Sequence, residues 1–241
     1  MPEQTLGHSE RVRQLFDAKA GSWAAKYAPR GRLAGRLTQL ADEARRHLCP
    51  GERVLDLGCG TGDLARHLAT LGLRVTGCDI SGNMLGQAAA ADPDGAASWL
   101  QLDPCWTVLP FGPASFDAVL VASVLEYVDA PGEVLRECAR VLRPGGVLLC
   151  TVPDLRHPVR WLEWAAAGAT SVRPTRAAGR RWPRLGRYLT YLRISRQRRP
   201  VHWWYGAAAG AGLWPEPGRA AKVAPLRMLT FRRPGGPGEG S

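Results

Sequence analysis

The sequence predicts a doubly wound α/β fold with a mostly parallel sheet, on three observations. Short strands and helical stretches alternate from residue 53 to residue 152. The strands are apolar throughout rather than alternately apolar and polar. The strand, helix and strand over residues 53–79 occupy 27 residues, close to the length of a parallel β-α-β unit. Strands apolar on both sides belong to a sheet covered on both faces, the setting of parallel strands flanked by helices.

The elements follow in order. Over residues 9–48, Leu33, Leu37, Leu40, Ala44 and Leu48 recur every three or four positions, a helical period that Pro50-Gly51 ends. Residues 1–50 are therefore expected to form an N-terminal helical cap. The core, residues 51–153, holds strands over 53–57, 74–79, 98–102, 116–122 and 147–152, with helices over 62–71 and 131–142. Pro144-Gly145-Gly146 reads as the turn before the fifth strand. Residues 154–200 lose this regularity and read as a basic, largely helical insertion capping the substrate, with helical fragments near 161–167 and 185–194. Residues 201–233 supply a helix over 201–213 and a last strand over 226–231 that complete the core. The Pro/Gly tail, 234–241, is expected to be disordered.

Hydrophobic residues make up 45% and charged residues 22%, enough apolar content for a real core and against wholesale disorder. The first ten residues lack the basic start and apolar run of a secretory signal, and no stretch reaches the roughly 18–20 apolar residues of a membrane span; a cytoplasmic location is expected. The six cysteines are scattered without a C-x-x-C pair, which suggests neither a zinc site nor a disulfide framework, and no metal is expected. The net charge of +11 is uneven: residues 1–154 carry a balance of −3 and residues 155–233 a balance of +15. Such asymmetry marks a face that an acidic partner approaches.

The sharpest chemical signal is Val54-Leu-Asp-Leu-Gly-Cys-Gly-Thr-Gly62. It is a strand that ends in an acid and opens into glycines at every second position, which leaves bare backbone for a ligand lying across the strand end. Asp79 closes the second strand 23 residues after Asp56, where a carboxylate accepts hydrogen bonds from both hydroxyls of a ribose.

Asp56-Leu-Gly-Cys-Gly-Thr-Gly62 resembles the first motif of class I S-adenosylmethionine-dependent methyltransferases, and differs from the G-x-G-x-x-G of nicotinamide enzymes, which cradles a pyrophosphate. The resemblance spans residues 16–152 and implies a Rossmann-like methyltransferase fold with S-adenosyl-L-methionine as cofactor. It is closest to the methyltransferases of ubiquinone and menaquinone biosynthesis and their relatives in secondary metabolism. It implies cofactor contacts from Asp56, Gly58, Cys59 and Gly60, and from Asp79 on the ribose. Ile80 and Met84 would sandwich the adenine, and Asp103 would hold its amino group. Pro104, in place of a residue that offers an N–H, puts one adenine contact in question or passes it to Cys105. Ala122 and Leu125 would border the methionine portion. Phe16-Asp17 with Trp23 and Tyr27 is similar to the aromatic signature that closes over the cofactor, packing within the helices being the other reading for Trp23 and Tyr27. Tyr127 stands where the family often has histidine, which weakens a histidine-dependent or metal-assisted role there.

For a base, the candidates are His157, a few residues past the fifth strand and bearing an imidazole, a side chain suited to proton removal near neutrality, and Tyr127. Glu126, Tyr188, Tyr191 and His202 rank behind them. Asp103-Pro104-Cys105 is misplaced for an RNA cytosine methyltransferase nucleophile, and the Asn-Pro-Pro-aromatic tetrapeptide of enzymes that methylate base amines is absent. The basic stretch, in which Arg180, Arg181 and Arg187 neighbour aromatic residues, suits an acidic or aromatic substrate, an anionic membrane surface, or RNA; a solvated helical face is the plain alternative. The function expected is in-line transfer of a methyl group to a hydroxyl or amine of a small molecule. An RNA methyltransferase using the basic insertion and an inactive cofactor-binding protein are the alternatives.

Overall fold

The computed structural model describes residues 7–27, 31, 33–158, 193–216, 222–223 and 225–235. The chain begins with α1 (His8–Asp17) and α2 (Ala20–Trp23), continues through a 3₁₀ turn (Ala24–Lys26), and resumes as α3 (Ala34–Arg45). The helical period of residues 9–48 is thus divided among separate helices. The break after Asp17 lets Phe16 and Trp23 meet edge to face, 5.5 Å between centroids, and frees the Asp17 carboxylate to bond to Ser81 and Asn83.

Next come β1 (Arg53–Leu57), α4 (Asp63–Ala69), β2 (Arg74–Asp79), α5 (Gly82–Ala90), β3 (Ala97–Gln101), β4 (Phe116–Val121), α6 (Pro131–Val141) and β5 (Leu142–Pro153). Beyond residue 192 the described chain includes α7 (Val201–Gly210), the two-residue strands β6 (Trp214–Pro215) and β7 (Lys222–Val223), and β8 (Leu226–Arg232). Helix α5 escapes the sequence pattern because Gly82 and Gly86 weaken its propensity. Its signal is the N-cap: Ser81 Oγ accepts the Met84 N–H at 3.1 Å.

The strands form one sheet in the order β3-β2-β1-β4-β5-β8-β6, with β7 paired to β8. Strands β1 to β5 run parallel and β8 runs antiparallel to β5. Strand β5 starts earlier than expected: Pro144-Gly145-Gly146 is an irregularity inside the strand, with the β4 pairing shifting between Phe116 and Ala118. Glycine is needed at 146, where a Cβ would lie 2.9 Å from the Asp117 carbonyl.

The apolar strands are explained by burial on both faces. Leu55, Val119, Val121, Leu148 and Cys150 point to one side, where α6 and α7 cover them; Val54, Ala118, Leu120, Val147 and Leu149 point to the other, under α3 and α4. Trp204 of α7 is fully buried and its indole N–H donates to the Arg199 carbonyl at 3.2 Å. Most of the stretch expected to form a basic insertion, including 161–167 and 185–192, and the tail beyond 235 lie outside the described residues. Among the described residues no helix is long and apolar enough to cross a membrane.

Strand β1 is the switch point: the chain leaves it toward β2 on one side and reaches β4 on the other. The carboxyl ends of β1, β2 and β4 therefore open a crevice, where ligands of open α/β sheets bind.

Candidate active site

A cavity of about 1500 Å³ occupies that crevice. Its floor is the loop after β1. Gly58 and Gly60 have φ of +75° and +57°, in the left-handed region. A Cβ on Gly58 would lie 2.2 Å from Val124 Cγ2, and one on Gly60 would lie 3.4 Å from Trp23 Nε1, so this backbone runs between two side chains. The loop is tied to β2 by the Gly58 and Cys59 N–H groups, which both donate to the Cys78 carbonyl at 2.7 and 3.0 Å.

Two carboxylates stand behind the loop. Asp79 Oδ2 accepts the Gly60 N–H at 2.9 Å and Oδ1 accepts the Ser81 N–H at 2.8 Å, and each oxygen keeps a further lone pair for a ligand. Burial raises the Asp79 pKa above the ordinary carboxylate value, against the pull of those backbone donors. Asp56 is 2% exposed, and its buried Oδ2 has no hydrogen-bond partner among the described residues. Burial, with the neighbouring charge of Asp79, pushes the Asp56 carboxyl up to about 7. An acceptor left without a partner in the interior is costly, and a cationic or N–H donor from a ligand would relieve it.

This has a consequence for stability. Between the ordinary value of 3.8 and about 7, folded Asp56 holds a proton that the unfolded chain has lost, so stability falls as pH rises through that window. Urea melts of the cofactor-free protein at pH 5 and pH 8 are expected to show this loss, and Asp56→Asn is expected to reduce it. An equal loss in both proteins would rule out the protonated buried carboxyl.

The walls are aromatic on one side. Phe16 packs edge-on against both Trp23 and Tyr127, at 5.5 and 5.2 Å, and Lys26 Nζ sits 3.3 Å from the Trp23 ring centroid. Burial pushes the Tyr27 phenol up, against the pull of the Arg36 guanidinium. Opposite, Ser123 takes φ +60° at the exit of β4, where its N–H donates to Thr151 Oγ1 at 2.9 Å. Arg36 Nη2 donates to the same Thr151 oxygen at 3.1 Å and to Ser123 Oγ. Its Nε is buried with no acceptor among the described residues. Sequence reasoning missed Arg36; the available signal was an arginine set among Leu33, Leu37 and Leu40 of an otherwise apolar stripe.

The residues expected at the site divide into two groups. Tyr27, Asp56, Gly58, Cys59, Gly60, Asp79, Ile80, Met84, Ala122 and Tyr127 all line the cavity, as does Glu126. Asp103, Leu125 and His157 do not. Asp103 is exposed and its carboxylate accepts the Cys105 N–H at 2.7 Å. That bond also occupies the donor that Cys105 was expected to offer in place of Pro104. Leu125 is fully buried in the core: past the left-handed Ser123, Val124 and Glu126 line the cavity instead. His157 sits in a turn where its N–H donates to the Asp154 carbonyl at 3.0 Å, and the Asp154 carboxylate is held by Arg227 and by the Arg156 N–H. His202 is exposed on α7, and Tyr188 and Tyr191 lie outside the described residues.

Comparison with known proteins gives the family. Residues 55–150 match a family model described as a methyltransferase domain. A ubiquinone biosynthesis O-methyltransferase of Caulobacter sp. (strain K31) is 34% identical over 174 residues, 65% of this chain and 67% of that protein. The enzyme of the same description from Caulobacter vibrioides is 37% identical over 132 residues, and there the match spans about half of each chain, 54% and 52%. Among solved structures, magnesium protoporphyrin IX methyltransferase from Synechocystis PCC 6803, with S-adenosylhomocysteine bound, superposes with a TM-score of 0.68 over 92% of this chain and 98% of its own, at 16% identity; that likeness speaks for the fold. With the glycine loop and its carboxylates on one cavity floor, the chain belongs to the S-adenosylmethionine-dependent methyltransferases.

Proposed function

We propose that this enzyme transfers a methyl group to a hydroxyl of an aromatic small molecule, in biosynthesis of the quinone or secondary-metabolite kind. The observation that carries this reading is one cavity of about 1500 Å³ joining the glycine loop to the Phe16, Trp23 and Tyr127 wall. A typical ligand pocket is about 300–1,000 Å³, so this one has room for a cofactor and an acceptor together. The curated relatives, named for O-methylation in ubiquinone biosynthesis, favour a hydroxyl over an amine.

The residues fit the cofactor. The buried Asp56 oxygen and the buried Arg36 Nε both lack partners among the described residues, and the methionine end of S-adenosylmethionine carries an ammonium and a carboxylate to match them. The bare backbone at Gly58 and Gly60 accepts a nucleoside, Asp79 holds the ribose hydroxyls, and Ile80 and Met84 border the adenine. Bound there, the cofactor supplies a methyl group on a positively charged sulfur. The chain contributes alignment, which is worth roughly 7–11 kcal/mol when reactants are held in line. Trp23 and Tyr27 cover the loop and keep water out.

For a hydroxyl acceptor, Glu126 takes the proton. It is buried on the cavity wall beside Tyr127, and a carboxylate accepts a proton whereas a tyrosine hydroxyl still carries its own. Tyr127, with its ring against Phe16, orients the acceptor. Glu126→Gln is expected to lower kcat by about 10²- to 10⁴-fold with cofactor affinity unchanged, and Tyr127→Phe to lower it less than about tenfold. The reverse order would move the base to Tyr127.

The functional test is release of S-adenosylhomocysteine in the presence of catechols and hydroquinones, aromatic amines, or tRNA. Turnover with the phenols is expected. Turnover with tRNA alone, falling steeply with salt, would favour RNA methylation, and turnover with none would favour a binding protein.

A further inference from the structure

Helix α1 reaches the cofactor floor through a continuous chain of hydrogen bonds. Arg13 Nη1 donates to Asp17 Oδ2 at 2.6 Å. Ser81 Oγ donates to Asp17 Oδ1 at 2.5 Å. The Ser81 N–H donates to Asp79 Oδ1 at 2.8 Å, and the other Asp79 oxygen accepts the Gly60 N–H at 2.9 Å. The Asn83 N–H and side-chain amide add longer contacts to Asp17, both at 3.4 Å. Asp17 is 64 residues from Ser81 in sequence and is not among the cavity-lining residues.

We propose that Asp17 is a positioning residue for cofactor binding: through Ser81 it fixes the orientation in which the Asp79 carboxylate meets the ribose. The inference rests on the reading of Asp79 as the ribose grip. Ser81 sits at a junction, since its hydroxyl donates to Asp17 while accepting the Met84 N–H at the start of α5, and its own N–H holds Asp79. A single donor hydrogen leaves that hydroxyl one acceptor to choose, and Asp17, kept in place by Arg13, is that acceptor. Remove Asp17, and the serine hydroxyl turns toward solvent or another acceptor, the β2–α5 turn loosens, and Asp79 loses its fixed aim while keeping its charge. The N-terminal helix is thereby part of the cofactor site rather than only a cover over it.

The test is calorimetric titration with two probes, S-adenosylhomocysteine and its analogue lacking both ribose hydroxyls. Asp17→Ala is expected to weaken S-adenosylhomocysteine binding by roughly 3- to 30-fold, the range for residues that act on a ligand without touching it, and to leave the analogue within about twofold. Asp17→Asn, which keeps an oxygen for the Ser81 hydroxyl, is expected to stay within about threefold of wild type for both probes. Ser81→Ala is expected to reproduce the selective loss, and serves if Asp17→Ala does not fold. Equal weakening of both probes would reduce Asp17 to a structural residue and overturn the proposal. If wild type itself binds the two probes alike, the Asp79 reading fails instead, and if it binds neither, the cofactor site fails.

Discussion

Replacing Asp79 with alanine is expected to weaken S-adenosylhomocysteine binding by about 1.5–3 kcal/mol, the range for hydrogen bonds to a charged group, or roughly 10- to 150-fold. The loss has two parts. The ribose hydroxyls lose their acceptor, and the Gly60 and Ser81 N–H groups, at 2.9 and 2.8 Å, lose the oxygens that hold the glycine loop and the β2–α5 turn in register. The cofactor-free protein is expected to change little in stability by comparison, because burial already disfavours this carboxylate, raising its pKa, and its removal relieves that cost. Calorimetry measures the first effect and urea denaturation the second. Unchanged affinity would remove Asp79 from the cofactor site, and a large loss of stability with affinity intact would make it a purely structural residue.

The second large effect is expected at Gly58. Alanine there would have to hold φ near +75° and place a Cβ 2.2 Å from Val124 Cγ2. Left-handed strain and overpacking each cost about 1–3 kcal/mol, so a destabilisation of about 2–4 kcal/mol is expected by urea denaturation, together with loss of cofactor binding. Gly60→Ala is the informative comparison. Its Cβ would meet only the Trp23 ring, Nε1 at 3.4 Å and Cδ1 at 3.7 Å, so stability is expected to fall by about 1–2 kcal/mol while cofactor binding suffers as badly as at Gly58. Equal, mild effects on binding at both positions would mean that no ligand lies against this backbone.

Much of this was legible in the sequence because the informative residues act locally. The glycines at 58 and 60 declare their backbone conformation, and Asp56 and Asp79 mark the strand ends that the β-α-β spacing brings together. Apolar strands implied a sheet covered on both faces, and the two core clusters show why. What failed depended on geometry that one dimension does not carry. Leu125, expected from the resemblance, lies in the core while Val124 lines the cavity, because the left-handed Ser123, which changes the side that each later residue faces, leaves no mark in composition. Asp103 holds the expected place after the third strand but stands exposed, off the cavity wall, with one carboxylate oxygen accepting the Cys105 N–H. His157 was chosen by distance along the chain, and a turn closed by Asp154 keeps it off the cavity wall. Arg36 reads as a surface residue, one of several arginines in and around its helix, until Thr151 and Ser123 are seen beside it.

The electrostatics follow from the same floor. Asp56 and Asp79 share a buried crevice: burial raises the cost of ionising both, and the charge of Asp79 adds to that cost at Asp56. A cationic cofactor relieves that cost, so its affinity is coupled to the protonation of Asp56. The fold supplies the cradle, and the side chains of α1, α2 and the β4 exit line the wall at which the acceptor is proposed to bind, the part of this scaffold that fold alone does not determine.

The most direct measurement is a crystal structure with S-adenosylhomocysteine bound. The account predicts the nucleoside against Gly58 and Gly60, both ribose hydroxyls within about 2.6–3.2 Å of the Asp79 carboxylate, and the sulfur directed toward the wall formed by Phe16, Glu126 and Tyr127. A ligand bound elsewhere, or a ribose turned away from Asp79, would contradict it.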